Sequence, residues 1–171
     1  MLRLFSIFLL IVLVFSVQAC AQSKVYVSSE GRFSIDLNFT PTEDRNSAES
    51  KLGGKKLWWR TESASFMVSF ADNLDAKKEF AESAVNASAD GYIGAIPKSA
   101  KVVSRKNIGI DGYPGVEIVS RESDGYTVVT RYFMVDTRLY CTMALWTAGR
   151  NDLDVIRTLD SFKVYVQSPM K

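Results

Sequence analysis

Beyond the first twenty residues, apolar and polar positions alternate with a period of two along most of the chain. That period marks strands with one buried face. Residues 24–27 make a short first strand, and Ser28-Ser29-Glu30-Gly31 a turn. Phe33, Ile35, Leu37 and Phe39 then alternate with polar neighbours as far as Pro41. Residues 57–61 and 65–71 read as a hairpin around Glu62-Ser63. Four longer strands follow at 101–110, 115–121, 126–135 and 139–146, joined at Asp111-Gly112-Tyr113-Pro114, Asp124-Gly125 and Asp136-Thr137-Arg138. Asp-Gly is a strong signal for a tight hairpin.

The period changes to that of a helix in two places. Asp75 is placed to cap the first helix, Ala76, Phe80, Ala84 and Ala87 share one face, and Gly91 is a stop. In the second, Asn151 or Asp152 caps a stripe of Leu153, Ile156 and Leu159. Residues 162–166 add a last edge strand. The expected fold class is α+β, an antiparallel meander sheet flanked by two or more helices. Residues 40–56 interrupt the alternation. Between Pro41 and Ser50 the only apolar residue is Ala48, so this stretch is expected to be a mobile loop with too little to bury.

The N-terminus is of another kind. Residues 4–17 are an apolar run behind the single charge Arg3, shorter than a membrane span and suited to a signal peptide. Val17, Gln18 and Ala19 precede Cys20 in a pattern that resembles the lipobox of bacterial lipoproteins. That resemblance implies cleavage before Cys20 and lipid on its thiol, while cleavage after Ala21 is the competing pattern. The expected organisation is a signal peptide at 1–19, a tether at 20–23, one domain at 24–166 and a tail at 167–171. The protein is expected in the cell envelope, held by lipid to a bacterial membrane, or soluble after export if cleavage follows Ala21.

Composition narrows the chemistry. The 171 residues include 21 Lys and Arg against 19 Asp and Glu, a net charge of +2, which argues against a nucleic-acid partner. With no histidine and only two cysteines, Ser-His-Asp and Cys-His catalysis, His-ligated zinc and four-cysteine zinc sites are excluded.

Four segments recur in a familiar order: Ser29-Glu30-Gly31-Arg32-Phe33-Ser34-Ile35; Ile110-Asp111-Gly112-Tyr113-Pro114-Gly115-Val116-Glu117; Arg131-Tyr132-Phe133-Met134-Val135 with Arg138-Leu139-Tyr140; and Leu159-Asp160-Ser161-Phe162. Together they resemble the PsbP-like domain of small bacterial lipoproteins and exported proteins, over roughly residues 24–166. The resemblance implies a central antiparallel sheet flanked by helices, and a binding or assembly role. Members of that family include an extrinsic subunit of photosystem II and a nuclear-transport factor that binds Ran. No functional residue of those members carries over.

Individual residues offer little chemistry. Asp72-Asn73-Leu74-Asp75 lacks EF-hand spacing, and no metal or other cofactor is expected. Glu117 lies in an apolar strand. A two-residue hairpin at Asp124-Gly125 sets it opposite Tyr132, and it is expected to be a half-exposed strand residue paired to Arg121 or another base. Cys141 reads as a small buried hydrophobe. The glycines of residues 51–56 form no phosphate loop, since no helix follows. A turn at 136–138 places Phe133, Leu139, Cys141, Met143 and Leu145 on a core face, with Arg131 an exception that must be paired or at a rim. It places Tyr132, Tyr140 and Trp146 on the other face, which suits a helix contact or a ligand groove. Trp58 and Trp59 are adjacent and point to opposite faces, so the less buried one marks a partner surface. The expected function is a non-enzymatic, lipid-anchored accessory domain that binds another envelope protein. The alternative is a carrier for a small apolar or aromatic ligand beside Tyr132, Tyr140 and Trp146.

Overall fold

A computed structural model describes residues 24–37, 54–72, 78–147 and 152–165, and the backbone of 43–47. The strands are β1 (Lys24–Ser28), β2 (Phe33–Leu37), β3 (Glu43–Ser47), β4 (Lys55–Arg60), β5 (Ala64–Asp72), β6 (Lys101–Ile110), β7 (Tyr113–Arg121), β8 (Tyr126–Val135), β9 (Arg138–Thr147) and β10 (Lys163–Val164). A 3-10 turn, Lys78–Phe80, leads into α1 (Ala81–Ala95), and α2 (Asp152–Asp160) precedes β10. Among the described residues the strands form a seven-stranded sheet of order β3-β4-β5-β9-β8-β7-β6 and a small sheet of order β1-β2-β10. All pairs are antiparallel.

The small sheet and α2 pack on one face of the large sheet, and α1 packs across β7 and β8 on the other. The first interface is rich in rings. Phe162 lies against Phe33, Phe133 and Tyr140, with centroids 5.5 to 6.0 Å away. Trp59 meets Tyr26 edge-on at 5.0 Å. Gly115 faces Phe133 across the β7–β8 ladder, and a Cβ there would stand 2.6 Å from the Phe133 ring. The glycine lets the ring lie on the backbone.

Arg138, the first residue of β9, joins the two sheets. Its Nε and Nη2 donate to both carboxylate oxygens of Asp72 at the end of β5, at 2.7 and 2.8 Å. Its Nη1 donates to the Glu30 carbonyl in the β1–β2 turn at 2.6 Å. The guanidinium stands 5.0 Å above the Phe70 ring. Two residues on, the Tyr140 hydroxyl donates to the Gly31 carbonyl at 2.8 Å. The Arg138 hydrogen bonds hold the Asp72 carboxyl below its ordinary range.

A second charged array crosses three strands. Glu117 is 6% exposed and opposite both Lys106 and Arg131. Lys106 Nζ is 2.9 Å from one carboxylate oxygen, and Arg131 Nε donates to the other at 2.7 Å. Arg131 Nη2 continues to Asp160 at the end of α2, 2.7 Å away. Burial alone would raise the Glu117 pKa, but the hydrogen bonds and charges of Lys106 and Arg131 outweigh it and hold it low. The exceptional Arg131 is thus paired, and pins α2 to the sheet.

Five expectations need correction. Residues 40–56 are not all loop, because β3 pairs with β4 from Glu43 opposite Arg60 to Ser47 opposite Lys56. A strand ladder needs backbone groups and no apolar side chains, so composition concealed it. The flanking residues 38–42 and 48–53 lie outside those described, as does Asp75. The first helix buries Ala81, Val85 and Ala89 and runs past Gly91, whereas Phe80 is exposed. The second buries Val155, Thr158 and Leu159 and exposes Leu153.

The last two corrections concern turns. The β8–β9 turn has two residues, Asp136-Thr137, since Val135 pairs with Arg138. The face opposite the one expected on β9 therefore joins Phe133: Tyr140, Thr142, Ala144 and Trp146 point to the ring-rich core. The β7–β8 loop has three residues, with Gly125 N–H donating to the Glu122 carbonyl at 3.2 Å and a φ of 89° at Gly125. One extra residue brings Glu117 opposite Arg131 instead of Tyr132.

Phe133 is almost fully buried in the ring cluster. Phe133→Ala is expected to cost about 3–5 kcal/mol in denaturant unfolding, and a change within error would show that the ring is not packed. For the carboxylates the pH sign follows from their lowered pKa values. Asp72 and Glu117 add stability that is full above their ordinary values of 3.8 and 4.5 and lost as pH falls through the lower folded values. The melting temperature should therefore drop as pH falls below about 4.5, and drop less in Glu117→Gln. Equal slopes in both proteins would remove Glu117 from the acid limb.

Candidate functional site

β6 is the outermost strand on its side of the large sheet, and no described strand pairs with its outer edge. Residues 101–107 are exposed, including the apolar pair Val102 and Val103. Alternation sends Arg105 toward α1, where it ion-pairs with Asp90 and donates to Asn86, and Lys106 to Glu117 on the opposite face. A register shift between Val102 and Ser104 interrupts the β6–β7 ladder, a device that discourages indiscriminate edge pairing. Beyond it, from Ser104 to Ile110, the ladder is regular.

Clefts lie on both sides of that regular half. One, of about 640 Å³, is bounded by Gly109, the β6–β7 turn, the β8–β9 turn and the start of α1. Its carboxylates are Glu79, Glu82, Asp111 and Asp136. Asp111 and Asp136 sit in their turns at φ of 50° and 53°, a conformation that Asp tolerates better than most side chains. The Tyr113 hydroxyl donates to Asp136 at 2.9 Å, and that bond raises the phenol's pKa. The other cleft, about 390 Å³, lies beside Ile108, Ile110, Glu117, Arg131 and Phe162. A strand edge left open by the described strands, with a side-chain recess on each face, suits an added extended segment. Backbone bonds supply affinity there, and alternate side chains supply specificity.

Glu117 is an ion-paired carboxylate of lowered pKa, the opposite of a poised base. Cys141 is buried and its thiol is pushed up to about 12, chiefly by burial. Burial also raises the phenol of Tyr132. Among the described residues no group of three or more Asp, Glu or Cys side chains could hold a metal ion.

The residues singled out from the sequence do not assemble. Tyr132 lies on the α1 side, while Tyr140 and Trp146 lie in the core between the sheets. Tyr140 is anchored to Gly31, and Trp146 Nε1 donates to Asp152 at the start of α2 at 2.6 Å. The expected three-ring groove is thus divided by the sheet. Trp59 is 1% exposed, and Trp58, half-buried, points the other way opposite Met67. Cys20 lies outside the described residues. The open edge of β6 was missed because an exposed edge strand and a half-buried inner one share the same alternation. Its signal lay in Lys101, Arg105 and Lys106.

No protein-family model matches the chain, and no curated protein matches it in sequence. Solved structures do. The solution structure of cyanobacterial PsbP (CyanoP) from Synechocystis sp. PCC 6803 matches with a TM-score of 0.61 at 11% identity, covering 88% of this chain and 96% of that one. A Bacteroides thetaiotaomicron crystal structure matches at 0.45 and 12% identity over 85% of this chain and 50% of its own. The immunity protein TplEi of Pseudomonas aeruginosa matches at 0.42 and 11%, over 87% of this chain and 52% of its own. The likeness to CyanoP spans nearly all of both chains, and three of the segments that carried the resemblance in sequence, 29–35, 131–140 and 159–162, meet in space around Arg138 and Phe162. This chain has the PsbP-like α+β fold.

Proposed function

We propose that the protein is an exported, lipid-anchored, non-enzymatic accessory domain that binds another envelope protein by strand addition to β6. The observation that carries the reading is the outer edge of β6, with which no described strand pairs, and the recess on each of its faces. The four carboxylates around the larger recess favour a segment that brings a Lys or Arg side chain to it. The anchor rests on Cys20 behind its apolar leader, and none of the described helices is long and apolar enough to cross a membrane. The carrier alternative is weakened by the separation of Tyr132 from Tyr140 and Trp146.

Two variants test the two halves of this reading. Cys20→Ser should leave the precursor unprocessed or release the protein from the membrane fraction, and unchanged processing and retention would overturn the anchor. Glu79 and Glu82 are exposed in the first turns of the helix, so Glu79→Lys with Glu82→Lys should leave the domain folded with a melting temperature lowered by a few degrees. The same variant should lose the neighbours crosslinked to the protein in intact membranes. Undiminished crosslinks to the same neighbours would exclude the acidic recess as the contact.

A further inference from the structure

The small sheet has an outer face turned away from the core. Register places Val25 opposite Asp36, and Val27 opposite Ser34, which in turn faces Lys163. Tyr26, Phe33 and Val164, at the alternate positions, point inward. Val25 is 58% exposed, Val27 60% and Tyr165, next to β10, 47%. Tyr165 N–H donates to the Arg32 carbonyl, which continues the ladder by one residue and sets its side chain on the same outer side as Lys163. Two exposed valines and a tyrosine thus share one sheet face. Lys163 stands among them, and Asp36 is the half-buried acid on that face.

We propose that this face rests on the lipid surface to which the protein is anchored, with Val25, Val27 and Tyr165 at the headgroup boundary. The inference rests on the reading of Cys20 as the lipid-modified residue. Only three residues separate Cys20 from Lys24, so the start of β1 lies within about 14 Å of the Cys20 backbone even if the tether is fully extended. A strand held that close to a bilayer meets the interface before any other element of the fold. The exposed side chains of the face are of the kinds that favour the interface: branched aliphatics, a tyrosine with an apolar ring and a polar tip, and Lys163, complementary to anionic headgroups. The face is too small and too weakly apolar to hold the protein by itself. It acts as a foot that orients an anchored domain, because one anchor point leaves rotation about the tether free and a second contact restricts it.

The test uses the full lipidated protein reconstituted in vesicles of phosphatidylethanolamine, phosphatidylglycerol and a bromine-labelled phosphatidylcholine. Tyr165→Trp puts an indole on the outer face, and wild type supplies the background from Trp58, Trp59 and Trp146. The bromine label should quench the added emission. Val25→Asp with Val27→Asp in that background should restore it while flotation with the vesicles is unchanged. Flotation without quenching of the added indole would overturn the foot and leave the anchor standing. Quenching lost together with bilayer-independent crosslinks between Tyr165→Trp chains would give the face to a second copy and overturn the proposal equally. Failure to float, with no lipid mass on Cys20, would overturn the anchor and the foot with it.

Discussion

The Arg138 guanidinium is the interaction on which the arrangement of the two sheets depends. It occupies the first position of β9, yet its hydrogen bonds reach the last residue of β5 and the turn between β1 and β2. A planar fork is needed there, because two nitrogens meet both oxygens of Asp72 while the third takes a backbone carbonyl. A lysine would bring one charge and lose the register between partners. Burial of such a cation carries a desolvation cost, which the bidentate carboxylate, the carbonyl and the Phe70 ring together offset. With the turn pinned by Arg138 and by Tyr140, Phe33 is carried into the space above Phe70, and the ring cluster closes around Phe162.

The arrangement around Arg138 also explains which parts of the fold could be read from sequence. All the described strands but β3 were legible in the sequence, most of them from alternation, because each has one face that must leave water and one that need not. Which face goes where depends on turn length, and turn length is set by φ at one or two residues. Counting Arg138 in the turn lengthened it by one residue and reversed β9. Both faces of β9 are rich in apolar residues, as befits a strand inside the sheet, so the pattern gave no warning. The better signal was Arg131. A charged residue on the face of Phe133 demanded a partner, and a three-residue loop at Ser123-Asp124-Gly125 brings Glu117 to it. In α1 the stripe was misassigned because alanines and serines occur on every side of the helix. Its buried line of Ala81, Val85 and Ala89 is set by how closely the helix must approach Val116, Ile118 and Met134.

The array from Lys106 through Glu117 and Arg131 to Asp160 plays for α2 the part that Arg138 plays for the small sheet. Glu117 sits between two cations on neighbouring strands, so its charge is compensated where it stands. A carboxylate held in this way orders β6, β7 and β8 against one another and is a poor proton acceptor. The physical reason that this buried acid has a lowered pKa is its two partners, since burial acting alone would push it the other way. The site was partly legible for that reason: the need for a base was plain in the sequence, while its identity waited on the loop.

The two exposed features of the molecule lie at different ends of it. The small sheet stacks over the β4 and β5 end of the large sheet, through Tyr26 on Trp59 and Phe33 on Phe70. β6 is four strand spacings from β5, about 19 Å away. The antiparallel order forces this separation, because the large sheet grows outward from β5 through β9, β8 and β7 before β6 can be added. In the proposed role, the strand nearest the tether faces lipid, and the strand farthest from the small sheet offers its backbone to a partner. The same order keeps the two from competing, since a segment added beyond β6 extends the large sheet away from β1. The register shift at Val102 then acts as a filter: it spoils pairing near the exposed valines and leaves the run from Ser104 to Ile110, beside the acidic recess, as the part of the edge open to a matching strand.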